Sequence, residues 1–377
     1  MRTVDWLTYT GIEHLKKLNQ FYGCETENQH SKHELICTLL RRMGQKKTIK
    51  KMMEQLSPAE HRFLQLLVLD HSPAFVMEEL LVKARTALKG EEEEPRTFIV
   101  NALKKGWLFP GYSLQTQNLY HVPSDLREQI IELLCEPYKK FQSPQPSVFR
   151  DEGFQMVYDL HHFLDFLNRE IVRMTNDGAI YKQQQRQLFQ NFFIQEKPLQ
   201  SKGPRFGFGR RYHLYPDRFS LIYDYGFYQE YFIEQDGYIC LSESGFGKIN
   251  KTIDEIEAKN LYRFWIRLYR KPIYHLPIII RWIGLLAHPG WFPLDELYNV
   301  VKSWLSPFFY ETEESLYQKV LKMMCHLGVV RLGSEAGQGF VSLTKTGVKW
   351  MLGVSAFREQ AIEDEFIQFA RKKENRF

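Results

Sequence analysis

The 377-residue sequence predicts a mainly α fold with small β-hairpins, arranged as three helix–helix–helix–hairpin units in series between helical N- and C-terminal segments. Three observations predict it. Amphipathic stretches at helical spacing recur along the chain. Every third one ends near a glycine and runs into a strand–turn–strand pattern. The passage from third helix through hairpin to closing helix is nearly repeated: "DYGFYQEYFIEQDGYICLSESGFGKI" at 224–249 and "HLGVVRLGSEAGQGFVSLTKTGVKWM" at 326–351 both place Leu-Ser or Leu-Thr, a polar pair and Gly after the second strand.

Residues 1–56 form the N-terminal helical segment. Ile12, Leu15, Leu18 and Tyr22 fall at helical spacing, as do Leu35, Leu39 and Met43. The stretch RRMGQKKTIKK, residues 41–51, holds six of the ten Lys and Arg of this segment. The first unit occupies 57–137. Ser57 is placed as an N-cap, Pro58 suits the first turn and Glu60 completes a capping box, so a helix is expected with Phe63, Leu66, Leu67 and Leu69 on its apolar face. A second helix is expected over 75–87 and a third over 95–105, closed at Gly106. The alternation of 107–122 around Pro110-Gly111 reads as a hairpin.

The second unit, 150–250, opens with an amphipathic helix over 153–169. A short strand follows, then a turn at Asn176-Asp177-Gly178 and a second helix. After an irregular stretch over 196–216 come a third helix from Asp217 and a hairpin turning at Asp236-Gly237. The third unit, 260–352, has a buried helix within 276–291 with its stop at His288-Pro289-Gly290, a second over 292–305, and a third over 312–328 with Gly328 past its end. A hairpin packed beside the third helix of such a unit is the pattern of a winged helix, the hairpin being the wing. Residues 353–377 read as a polar C-terminal helix striped by Phe357, Ala361, Phe366 and Phe369. It is expected to pack back on the body, with docking of a partner as the alternative.

Bulk composition bounds the function. Hydrophobic residues at 44% and aromatic residues at 15% supply several small cores, so a folded chain is expected. The net charge of +5 permits an acidic partner such as nucleic acid without demanding one. Five cysteines, Cys24, Cys37, Cys135, Cys240 and Cys325, are scattered singly, which argues against a disulfide framework or a structural zinc. The first residues lack the apolar core of a signal peptide, and the most apolar run, 273–287, is broken by His275, Pro277 and Arg281. A cytoplasmic protein without a membrane partner is expected.

Catalytic signatures are missing. Gly247-Lys248 has Ser242 where a Walker A loop needs its first glycine and Ile249 where it needs Ser or Thr. No HExxH or GxSxG occurs, and the pair His161 and Asp165 lacks a third ligand. No enzyme, cofactor or metal site is expected.

The basic groups are more informative. The loop 201–218 carries Lys202, Arg205, Arg210, Arg211 and Arg218 with Phe206, Phe208, Tyr212 and Tyr215 interleaved, a composition able to follow a phosphate backbone and stack on bases. The alternative is a surface loop whose aromatics cover a core edge. Arg41, Arg42, Lys46, Lys47 and Lys50 make a comparable cluster, and Arg331, Lys345 and Lys349 attend the third hairpin. These thirteen positions are the expected phosphate contacts. Base readout is expected to be weak, because no third helix is dense in Arg, Asn and Gln. The opposing expectation is a protein-interaction scaffold that docks a helicase or other DNA-transaction machine.

The start "VDWLTYTGIEHLKKL", the segment "LSPAEHRFLQLLVLDHS", the unit "DLHHFLDFLNREIVRMTNDGAIYKQQQRQL" and the closing "VSLTKTGVKWML" resemble the winged-helix N-terminal region of XPB-type helicases and related free-standing bacterial helicase-associated proteins. The resemblance implies a helicase-associated, DNA-transaction module. With no Walker A loop here, the motor it implies is expected on a separate chain.

Overall fold

The computed structural model describes residues 1–24, 30–200, 205–251, 253–308 and 311–352. The chain is mainly helical with small antiparallel sheets, and divides into two compact units, Met1–Lys140 and Phe141–Phe377. The C-terminal segment 353–377, read above as a helix, lies outside the described residues, as does Lys202.

The first unit begins with α1 (Thr3–Tyr9), α2 (Ile12–Phe21), α3 (Lys32–Met43) and α4 (Lys46–Glu54). Trp6, Leu7, Leu15, Leu18, Leu35, Leu39 and Met43 interlock with Phe109 in one buried cluster. The helix α5 (Pro58–Val68) starts at Ser57, whose hydroxyl accepts from the Glu60 N–H while the Glu60 carboxylate accepts from the Ser57 N–H. Then follow β1 (Phe75–Val76), α6 (Met77–Leu88), α7 (Pro95–Lys104), β2 (Phe109–Pro110), β3 (Leu119–His121) and α8 (Ser124–Cys135). The expected second helix therefore begins two residues late. Phe75 and Val76 pair with Tyr120 and Leu119 as a strand, giving the sheet order β1-β3-β2.

The second unit runs from β4 (Val148–Arg150) through α9 (Gln155–Arg169), β5 (Val172–Arg173), α10 (Lys182–Gln190), α11 (Asp217–Tyr228), β6 (Phe232–Gln235), β7 (Tyr238–Leu241) and α12 (Glu243–Ile249). It continues with α13 (Glu255–Tyr269), α14 (Leu276–Leu286), β8 (Phe292–Pro293), α15 (Leu294–Val301), α16 (Glu313–His326), β9 (Val330–Glu335), β10 (Gln338–Leu343) and α17 (Lys345–Met351). The sheets are β5-β7-β6 and β4-β9-β10-β8.

One topology thus occurs three times: helix, two-residue strand, helix, helix, hairpin. In each, the short strand pairs with the second hairpin strand, at Phe75↔Tyr120, Val172↔Ile239 and Phe292↔Val341. The repeated Leu-Ser/Thr-x-x-Gly has a physical basis. Ser242 and Thr344 cap the closing helices by accepting from the N–H of Gly245 and Gly347. The same residues send their own N–H to Tyr231 O and Val329 O at 3.0 and 3.2 Å. A Cβ on Gly245 or Gly347 would sit 2.0 or 1.9 Å from those carbonyl oxygens, so only glycine lets the helix close on the hairpin. Besides the short strands β1 and β8, neither β4, which extends the third sheet alongside β9, nor α13, which packs its buried Leu261, Phe264 and Trp265 among α9, α11 and α14, was foreseen.

Candidate nucleic-acid interface

The basic loop is folded inward, which corrects the expectation that its arginines face a phosphate backbone. The Arg205 guanidinium is bound to the Tyr215 carbonyl and the Asp217 carboxylate. Arg210 is buried, stacks 3.5 Å from the Phe227 ring centroid, and reaches Glu234 Oε2 at 3.3 Å. Arg211 donates to the same Glu234 oxygen at 2.7 Å, and the Tyr223 hydroxyl donates to Glu234 Oε1 at 2.7 Å. Burial pushes the Glu234 carboxyl up, but Arg211 and Arg210 outweigh it and leave the carboxyl below its ordinary range. Arg218 has no solvent exposure and lies 2.5 Å from Asp159. The interleaved rings face the same way. Phe206 packs on Tyr269 and Phe308, and the fully buried Tyr215 packs on Phe219 and Tyr223. A guanidinium withdrawn from water stays charged and costs several kcal/mol unless a carboxylate or other acceptor offsets it, roughly as for any buried ion, so these cations are spoken for.

The other expected contacts divide. Lys46 and Lys50 on α4 pair with Glu132 at 2.8 Å and Glu136 at 3.2 Å. Arg41 and Arg42, in the last turn of α3, and Lys47 remain exposed on adjoining helices. Arg331 is turned back onto its own sheet, donating to Ser342 Oγ and Leu343 O at 3.1 Å with its guanidinium 5.2 Å from the Trp291 ring. Lys345 is exposed at the start of α17, and Lys349, one turn on, pairs with Glu255 at 2.7 Å.

The third helix of a helix–helix–helix–hairpin unit is the usual reader of a DNA groove, but α11 is enclosed here and the other two expose only a narrow face. On α11 every residue from Arg218 to Gly226 is buried. On α16, Leu316, Tyr317, Val320, Leu321 and Met323 through His326 are buried, its first turn carries Glu313 and Glu314, and Glu314, Gln318 and Lys322 are left exposed. The third, α7, exposes Arg96, Val100 and Lys104.

A different helix gathers free polar groups. The α10 sequence KQQQRQLFQ turns Leu188 and Phe189 inward and leaves Lys182, Gln183, Arg186, Gln187 and Gln190 exposed. Gln184 and Gln185 serve the fold, holding the backbone at Ile171, Arg173 and Ile180. Between Asp177 and Glu196 the chain contains no acidic residue. Beside this face opens a cleft of about 520 Å³ lined by Lys182, Arg186, Gln190, Gln195, Glu196 and Lys197, with Phe189 and Leu199 as its apolar wall. Burial pushes the Glu196 carboxyl up to about 7 against the pull of Arg218, so at neutral pH it carries only part of a negative charge. Such a surface can hold phosphates with its cations and offer side-chain amides to sugars or base edges. Sequence reasoning passed it over by looking for readout on third helices, although the acid-free run was visible.

Among the described residues no group of His, Cys, Asp and Glu is placed to hold a metal ion, and no helix is long and apolar enough to cross a membrane. Comparison with protein-family models, with curated proteins and with solved structures finds no match to the chain.

Proposed function

We propose that this chain is a non-enzymatic, cytoplasmic nucleic-acid-binding module built of three winged helices in series, with low sequence specificity, working beside a helicase carried on another chain. The acid-free face of α10 and its cleft carry the reading: Lys182, Arg186 and Lys197 surround an opening whose one lining carboxyl is partly protonated at neutral pH. The thrice-repeated order of helices and strands supports the winged-helix assignment. DNA is the expected partner; helicase association rests on the resemblance of the segments quoted above. Three exposed glutamines on one helix are few for base readout, hence the low specificity.

The enclosed α11 and the acidic first turn of α16 favour a second reading, a scaffold that docks a DNA-transaction machine without touching DNA itself. One experiment separates the two. Labelled single-stranded, duplex and forked DNA are titrated by fluorescence anisotropy at about 50 and 200 mM salt, where a few phosphate contacts change affinity by orders of magnitude. Binding that falls steeply with salt and is weakened in a Lys182→Ala/Arg186→Ala variant supports the nucleic-acid reading. An absence of binding at the lower salt leaves the scaffold.

A further inference from the structure

We infer that the groove between α2 and α7 is a docking site for an acidic amphipathic helix of a partner protein, independent of the α10 cleft. The groove measures about 430 Å³ and lies within the first unit. His14, Lys17, Leu18 and Phe21 line it from α2, at spacings that put them on one helical face. Val100, Leu103 and Lys104 line it from α7.

Its chemistry selects the occupant. Phe21 and Val100 are 48% and 45% exposed and adjoin the same opening, one from each wall, so they form a shared apolar patch. A phosphate backbone gains nothing from them, whereas an apolar helical stripe does. The lining holds no carboxylate, and Lys17 and Lys104 stand one on each wall, which favours glutamates and aspartates flanking that stripe. The Nε2 of His14 is buried without a hydrogen-bond partner, and burial together with Lys17 keeps the ring below its ordinary pKa and so neutral at pH 7. The groove walls are helices rather than an open strand edge, so the fitting partner is a helix laid between them. The corresponding third helices, α11 and α16, offer no such face because their apolar residues are buried within the second unit.

The probe is a fluorescein-labelled peptide of about five helical turns, with Leu at i, i+3, i+4 and i+7 and Glu on both flanks. A second peptide keeps every Leu and replaces Glu by Lys. The full chain should bind the Glu peptide and bind the Lys peptide roughly tenfold or more weakly. Phe21→Ser/Val100→Ser, with retained folding checked by the unfolding midpoint, should weaken the Glu peptide by roughly tenfold or more. Lys17→Glu/Lys104→Glu should reverse the preference between peptides. Equal binding of both peptides, or a Glu peptide indifferent to both double variants, overturns the proposal. So does DNA that displaces the Glu peptide and is itself lost with Phe21→Ser/Val100→Ser, which would make the groove a nucleic-acid site. Weakened DNA binding in the α10 variant leaves this docking untouched, so the two readings fail separately.

Discussion

Arg218 on α11 and Asp159 on α9 form an ion pair across 2.5 Å with neither side chain open to solvent. Asp159 also accepts from the Phe193 N–H at 2.7 Å. On the other side of Arg218, Glu152 lies 4.0 Å away and accepts from His326 on α16 at 2.9 Å, so one buried charge network ties the two repeats of the second unit together. Burial pushes the Asp159 carboxyl up, and Arg218 and the Phe193 N–H only partly offset it. A residue whose type suggests a phosphate contact is therefore a structural tie.

Removing one partner should show this. Asp159→Ala leaves the buried Arg218 with only the more distant Glu152 as counter-charge, and unfolding free energy in urea should drop by about 3 kcal/mol. An unmoved midpoint would mean that water reaches Arg218 and that the pair is dispensable.

Nucleic-acid affinity should follow the exposed cations and not the buried ones. Lys182→Ala/Arg186→Ala should lower the slope of log affinity against log salt by about 2 on duplex DNA, with the unfolding midpoint unchanged. Arg211→Ala should instead destabilise the fold, because Glu234 loses its 2.7 Å partner. A folded Arg211→Ala protein with a reduced salt slope would contradict this division.

Two carboxyls make the second unit sensitive to rising pH. Burial raises Glu196 to about 7 and Asp224 to about 8, from ordinary values of 4.5 and 3.8. Raised values mean that the folded state holds protons the unfolded state has released. Stability from these groups is full below about pH 4 and is lost as pH rises through 7 and 8, each group contributing up to about 1.4 kcal/mol per pH unit. Wild-type unfolding free energy should fall more steeply than that of Glu196→Gln between about pH 4.5 and 7, and more steeply than that of Asp224→Asn between about pH 4 and 8. Parallel curves would show that both carboxyls are ionised in the folded protein.

The helix-closing glycines should be intolerant where the backbone approaches and tolerant where it does not. Gly245→Ala and Gly347→Ala drive a Cβ into Tyr231 O and Val329 O, and should each cost about 1–3 kcal/mol. Gly247, in the same helix as Gly245, has nothing within 4 Å of a Cβ, so Gly247→Ala should be neutral or stabilise by up to about 1 kcal/mol. Thermal denaturation of the three variants reads the contrast directly; equal shifts would refute the close approach.

Much of the helical order was legible because its signals are local. The Ser57–Glu60 box, the glycines Gly106 and Gly328 after α7 and α16, and the positive φ of Asp236 and Gly237 at the hairpin tip are each set by neighbours a few residues away. Strands β1 and β8 escaped because two residues carry no period, and both run straight into a helix. Helix α13 has a readable apolar face, with buried Leu261, Phe264, Trp265 and Leu268, and it was overlooked at the junction between two units.

The sequence by itself determined the mainly helical class, the repeating order of helices and hairpins, and a modest excess of positive charge, all properties of short windows or of totals. Only the tertiary structure decided which charges remain available. Arg218 meets Asp159 from 59 positions away; Arg210 and Arg211 meet Glu234 across a helix and a strand, while Lys182 and Arg186 meet no carboxylate among the described residues. A cation's usefulness to a phosphate depends on its solvation and on its nearest carboxylate, and packing sets both.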